Sequence, residues 1–158
     1  MHKAVILTIS DSCAAGQKED SSGKLLMQLL TEAEFEVISK VIIPDDKDQI
    51  IKYLSVYASS TNVALVITIG GTGIGPRDNT PEATKEIIEK EVTGIPELMR
   101  SRGGTITPQA YLSRAVAGIK NQTLFINFPG SPKAVQESFN AVIDLLVHAI
   151  SIIKGEPH

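Results

Sequence analysis

Residues 3–10 (KAVILTIS) and 64–69 (ALVITI) are apolar runs that do not alternate with polar residues. A strand of that kind is buried on both faces, which requires a mostly parallel sheet covered by helices on either side. Each such strand must be followed by a segment that carries the chain back. After the first run, Leu25, Leu26, Leu29, Leu30 and Ala33 recur at helical spacing over 22–34, with Ser21 and Ser22 as candidate caps. A second strand is predicted at 36–43 (EVISKVII), ending at Pro44. Asp46 or Asp48 then opens a helix through about Ser59, with Ile50, Ile51, Leu54 and Ala58 on one face.

The second apolar run leads into GGTGIGPRDNTP (70–81), whose four glycines and two prolines exclude regular structure. Thr80 before Pro81, with Glu82 and Glu86 following, predicts a capped helix over 81–91. Short helices are expected at 95–102 and 107–113. AVAGI (115–119) and TLFINF (123–128) predict a hairpin that adds one antiparallel strand, and 132–153 a final helix. The expectation is a three-layer α/β/α sandwich with a mostly parallel sheet and one antiparallel strand, a single domain over residues 1–158. A chain of this length buries roughly two-thirds of its unfolded surface and needs no disulfide or structural metal.

A net charge of -3 gives no general attraction to nucleic acid or anionic lipid. Cys13 is the only cysteine, so there is no intramolecular disulfide, Cys-rich zinc site or CxxC redox motif, and a reducing cytoplasm is expected. The opening MHKAVILTIS is too short for a signal-peptide core, and Asp144 and His148 interrupt the apolar C-terminal stretch, against a membrane span. His2, His148 and His158 lie near the termini or on the last helix, which disfavours a Ser-His-Asp hydrolase and a nucleophilic Cys13.

In an open parallel sheet, ligands bind outside the carboxyl ends of the strands. That rule selects Ser10-Asp11-Ser12, Pro44-Asp45-Asp46, Gly70 to Pro81, and Pro129 to Lys133. Gly70, Gly71 and Gly73, ahead of a helix N-terminus, suit a phosphate or make a tight structural turn. No Gly-Lys-Ser/Thr follows, which disfavours a P-loop NTPase. Asp45 and Asp78 either hold Mg²⁺ against substrate phosphates or serve as a helix cap and an Asx-turn. Ser10 and Asp11 bind ligand or simply end the first strand. Lys133, Arg77 and Arg114 either meet phosphate or are merely exposed.

Five segments together resemble the MogA/MoaB-type molybdopterin adenylyltransferases of molybdenum cofactor biosynthesis: TISDS (8–12), PDD (44–46), GGTGIGPRDNTPEAT (70–84), LSRAVAGI (112–119) and NFPGSPKA (127–134). The resemblance spans essentially the whole chain. It implies transfer of AMP from Mg-ATP to the terminal phosphate of molybdopterin, with release of pyrophosphate. It also implies Asp45 and Asp78 as the essential pair and Mg²⁺ ligands, and Gly71, Thr72 and Gly73 at the phosphate and pterin site. Ser113, Asn127, Pro129, Gly130, Ser131 and Lys133 match its LSR and NLPGSPK-like elements, with Phe128 in place of the commoner leucine. A homotrimer or hexamer, contacts from the 95–113 region and a downstream molybdenum-inserting partner are implied as well. Competing readings are a non-catalytic molybdopterin carrier, an assembly module, and the related competence/damage-inducible domain, whose pattern has a second acid where this chain has Asn79.

Overall fold

The computed structural model describes residues 1–157; His158, one of the histidines set aside above, lies outside them. Down the chain, β1 (Lys3–Ile9) is followed by the one-turn helix α1 (Asp11–Ala14), α2 (Ser21–Glu32), β2 (Glu36–Ile43), α3 (Lys47–Ala58), β3 (Leu65–Ile69) and α4 (Thr80–Ile87). Next come β4 (Lys90–Glu91), α5 (Gly94–Gly104), a 3-10 turn (Pro108–Leu112), β5 (Ala117–Lys120), β6 (Thr123–Phe128) and α6 (Pro132–Ile153). The sheet order is β2-β1-β3-β6-β5-β4. Neighbouring strands among β2, β1, β3 and β6 pair in parallel, and β5 opposes both β6 and β4. This is the expected three-layer sandwich with one reversed strand.

The unbroken apolar runs are explained by two cores. Ala4 and Ile6 of β1, Leu65, Ile67 and Ile69 of β3, and Leu124, Ile126 and Phe128 of β6 pack with Leu26 and Leu30 of α2 and Val135, Phe139, Val142, Leu146 and Ile150 of α6. The intervening residues Val5, Leu7, Ile9, Val66 and Phe125 face Ile50, Leu54 and Ala58 of α3 and Ala83 of α4. The helix α6 has the length and mean hydropathy of a membrane span, 22 residues at 1.2, yet one of its faces is committed to the first core.

Local chemistry moves several predicted boundaries. Asp20, not Ser21 or Ser22, caps α2 by accepting from Gly23 N–H at 2.9 Å. Ser22 instead donates to the Gly130 carbonyl at 2.6 Å, tying α2 to the loop after β6. Thr80 is the first residue of α4 rather than its cap, and no side chain caps that helix. The helix stops at Ile87 instead of reaching Glu91, because Ile88 turns extended and the following backbone is claimed by β5. Glu89 and Val92 N–H groups donate to Ile119 and Ala117 carbonyls, both at 2.8 Å, making the unpredicted edge strand β4. The hairpin closes through Asn121 and Gln122, Asn121 taking a φ of 55°, and β5 begins at Ala117 rather than Ala115, the Val116 N–H bonding the Asn127 side chain instead of a strand carbonyl.

Asn127 lies inside the sheet and is fully buried. Its Oδ1 accepts from Val116 N–H at 3.1 Å, while Nδ2 donates to the hydroxyls of Thr68 at 2.9 Å and Thr84 at 3.0 Å. Both Nδ2 hydrogens and one lone pair of Oδ1 are therefore engaged in joining β6 to β3, α4 and the chain entering β5, and the side chain is closed off from solvent. Asn127→Ala leaves buried polar groups unpaired and should cost about 2–3 kcal/mol. Thermal denaturation should show a fall in Tm of roughly 5–10 °C; an unchanged Tm would show that these bonds contribute nothing net.

Candidate active site

The chain leaves β1 toward β2 on one side and later adds β3 on the other, so the strand order reverses between β1 and β3. A crevice opens at such a point outside the strand ends. Gly70 starts the loop there with φ 101°, its N–H bonded to Phe128 O at 3.0 Å, and a Cβ at this position would lie 2.4 Å from Ile9 O. Only glycine fits so close to the end of β1. Gly71, at φ 68°, is confined from the opposite side: a Cβ would lie 2.2 Å from Thr80 Oγ1 and 3.2 Å from Asp45 Oδ1.

The space left by the glycines is thus partly taken by the protein's own acids and hydroxyl. Asp78 Oδ2 lies 2.9 Å and 3.0 Å from where Cβ atoms on Gly73 and Gly75 would stand. It accepts from Gly75 N–H at 2.9 Å, while Asp78 N–H bonds Gly75 O at 3.1 Å. Asp78 consequently closes its own turn and also borders the cavity beside the loop.

Asp45 does not cap α3; Asp46 does, accepting from Asp48 N–H at 3.0 Å. Asp45 and Asp11 instead exchange bonds, each carboxylate accepting the other's backbone N–H at 3.0 Å. Arg77 grips Asp11 through Nε at 2.6 Å and Nη2 at 3.0 Å. Desolvation pushes the Asp45 carboxyl above its ordinary range, the Asp11 N–H draws it back, and the charges of Asp11 and Asp78 raise it further. The hydrogen bond from Arg77 holds Asp11 below its ordinary value. Ser10 caps α1, accepting from Cys13 N–H at 3.2 Å.

A cavity of about 440 Å³ lies between the loop and α5. Of the residues singled out by sequence, Gly70, Gly71, Thr72, Gly73, Asp78, Ser113, Pro129, Gly130 and Ser131 border it. Ser10, Asp11 and Asp45 stand outside its wall on the same sheet edge, and Lys133 is exposed in the first turn of α6. Sequence reasoning missed the apolar wall of Pro96, Met99 and Leu112, and Arg100 beside it. It also left Arg114 undecided. That guanidinium donates to Gly73 O at 2.7 Å and Asp78 O at 2.8 Å and pairs with Glu82 at 2.6 Å and 3.2 Å. No periodicity marks either arginine, because their partners are mostly carbonyls of distant segments.

Residues 5–148 match the family described as "Probable molybdopterin binding domain". The chain belongs to that family. Molybdopterin adenylyltransferase of Helicobacter pylori (strain J99) is 39% identical over 152 residues, spanning 95% of this chain and 86% of that protein. Molybdenum cofactor synthesis protein cinnamon of Drosophila melanogaster is 41% identical over 150 residues, but the chain spans only 25% of its length. The crystal structure of the molybdopterin biosynthesis enzyme MoaB from Thermus thermophilus superposes with a TM-score of 0.93 at 43% identity, covering 99% of both chains. The resemblance carried by the five sequence motifs is to this family, and the mostly parallel sandwich is its fold.

The partly desolvated Asp45 carboxylate gives a test of the site's electrostatics. With its folded pKa above the ordinary 3.8, ionised Asp45 opposes folding at neutral pH, and that cost fades as the pH falls toward 3.8. Asp45→Asn should therefore raise Tm at neutral pH, and the gain should shrink on acidification. A variant equally or less stable at neutral pH would refute the desolvation account.

Proposed function

We propose that this family member transfers AMP from ATP to the terminal phosphate of molybdopterin, in molybdenum cofactor biosynthesis. The observation carrying this reading is the placement of a 440 Å³ cavity against a glycine loop that brings Asp78 to its wall, with Asp45 facing the same loop from behind Gly71. The naming of the Helicobacter pylori relative as a molybdopterin adenylyltransferase, over nearly the whole chain, supports the same chemistry.

Mg²⁺ is commonly held by one or two carboxylates together with substrate phosphates. Asp45 and Asp78 fit that donor set, since both carboxylates face the same glycine loop: Asp45 Oδ1 stands 3.2 Å from where a Cβ on Gly71 would be, and Asp78 Oδ2 2.9 Å from where one on Gly73 would be. Thr80 Oγ1 adds a buried hydroxyl without a partner, beside the gap that Gly71 leaves. When bound, the cation neutralises the crowded phosphates and the charge developing on the leaving pyrophosphate.

The reaction forms a bond between a terminal phosphate oxygen of molybdopterin and the α-phosphorus of ATP, and breaks the bond from that phosphorus to the bridging oxygen of pyrophosphate. The attacking oxygen is already ionised at neutral pH, so no side chain has to take a proton from it. The chain's task is alignment. In this reading Pro96, Met99 and Leu112 receive the flat pterin, Ser113 and Ser131 supply hydroxyls, and the loop at Gly71–Gly73 faces the phosphates.

Purified protein supplied with molybdopterin, ATP and Mg²⁺ should release pyrophosphate and adenylyl-molybdopterin, and a metal-free control should not. Asp78→Asn should abolish turnover and leave pterin affinity largely intact; full turnover in that variant would remove Asp78 from catalysis. Tight pterin binding by the unaltered chain without product would instead favour a carrier.

We also propose a homotrimer. Ile106 and Tyr111 are 55% and 61% exposed in and beside the 3-10 turn, an apolar surface outside the cavity that a second copy would cover. Light scattering should give a trimer mass for the unaltered chain and a smaller one for Tyr111→Asp. A monomeric unaltered chain would overturn this assignment.

A further inference from the structure

We propose that Arg114 is a positioning residue for adenylyl transfer, fixing the glycine loop and Asp78 against the cavity; the functional part of this inference rests on the reading above.

The segment from Gly70 to Asn79 contains no helix or strand. Its internal bonds, Asp78 N–H to Gly75 O and Gly75 N–H to Asp78 Oδ2, shape the turn without attaching it to the rest of the protein. Arg114 attaches it at three points and anchors that attachment to α4. Its backbone N–H donates to Thr72 O at 2.7 Å. Nε and Nη2, which share one edge of the guanidinium plane, reach Gly73 O and Asp78 O, the two ends of the exposed turn. The other edge, Nη1 and Nη2, holds both carboxylate oxygens of Glu82 on α4. One planar group therefore sets how far Gly73 lies from Asp78, and how both sit relative to α4.

Arg114 is itself held in place. Arg100 on α5 donates through Nη1 to Ser113 O at 3.2 Å and Ala115 O at 3.1 Å, the carbonyls on either side of it in the chain. The two arginines form a relay from α5 to the loop beside the cavity, so the spacing of α5, which carries Pro96 and Met99, from the loop backbone depends on Arg114. Lysine cannot replace this fork, since an ammonium has no planar edge to span two carbonyls. Pairing with Arg114 also holds Glu82 below the ordinary carboxylate range, keeping the pair ionised in mildly acid conditions.

The test uses the full chain and the variants Arg114→Lys, Arg114→Ala and Glu82→Gln. Amide hydrogen exchange read at Gly75 and across 72–79 should accelerate in both Arg114 variants, with the protection of α2 and α6 unchanged. Glu82→Gln, which leaves the bonds to Gly73 O and Asp78 O in place, should show a smaller change. In the AMP-transfer assay, Arg114→Lys should lower kcat by about 10–100-fold, the scale of a slight misalignment of reacting groups, with little change in KM for molybdopterin. Guanidinium ion should restore part of the kcat lost in Arg114→Ala.

Unchanged exchange at Gly75 in Arg114→Lys would overturn the positioning role even if the enzyme were active. Full kcat in Arg114→Lys would do the same. If the Arg114 variants do not fold, Glu82→Gln decides: exchange and kcat both identical to the unaltered chain would also overturn the proposal. A wild-type chain that makes no adenylyl-molybdopterin, yet loses loop protection in the Arg114 variants, would leave the positioning of the loop standing and remove the proposed reaction.

Discussion

Alternate residues of β1, β3 and β6 belong to different cores, and the rest of the molecule depends on that division. A slip of one residue in any of these strands would exchange the two faces, sending Ile6 where Leu7 packs and Phe125 where Leu124 packs. The register of Leu65 with Ala4 and Leu124 is therefore strongly specified. Because the strands run in parallel, fixing their register also fixes where their carboxyl ends stop. Ile9, Ile43, Ile69 and Phe128 finish at one edge, and the loops carrying Asp11, Asp45, Asp78 and Ser131 start from there. The precision of the site is inherited from the core beneath it.

At that edge the acids crowd one another and one of them is drawn partly out of water. Asp45 is partly desolvated and lies near the charges of Asp11 and Asp78, which raises its proton affinity. The arginines meet this acidity in different ways. Arg77 is an exposed, two-point clamp on Asp11, screened by the surrounding water. Arg114 is more enclosed and divides its donors between two backbone carbonyls of the loop and the carboxylate of Glu82. The first can exchange partners cheaply, whereas loss of the second would leave carbonyls of the loop without a donor.

The fold was legible because its largest energetic term, double-sided burial, writes itself into unbroken apolar runs such as KAVILTIS and ALVITI. The glycine loop was equally visible, but its physical purpose was only half so. Gly71 admits Thr80 and Asp45, and Gly73 and Gly75 admit Asp78, as well as giving the backbone its turn. Asn127 shows the opposite limit: the family resemblance implies it at the ligand site, and its amide closes a buried network among Val116, Thr68 and Thr84. Edge strand β4 was hidden because two charged residues, Lys90 and Glu91, carry no apolar alternation and pair only through their backbone. The cavity's apolar wall was hidden for a related reason: Pro96, Met99 and Leu112 come from two short elements whose meeting is a tertiary event.

The exchange of bonds between Asp11 and Asp45 resembles one rung of a ladder built outside any sheet, with each carboxylate standing in for a carbonyl. It ties the loop after β1 to the loop after β2 without the backbone pairing that would make them rigid. A pull on the carboxylate of Asp45 is therefore felt at the amide of Asp11, and so at the guanidinium of Arg77, which lies sixty-six residues away in sequence. Three segments far apart along the chain are geared together through four hydrogen bonds, so that displacing any one of them moves the charges of the other two along the sheet edge.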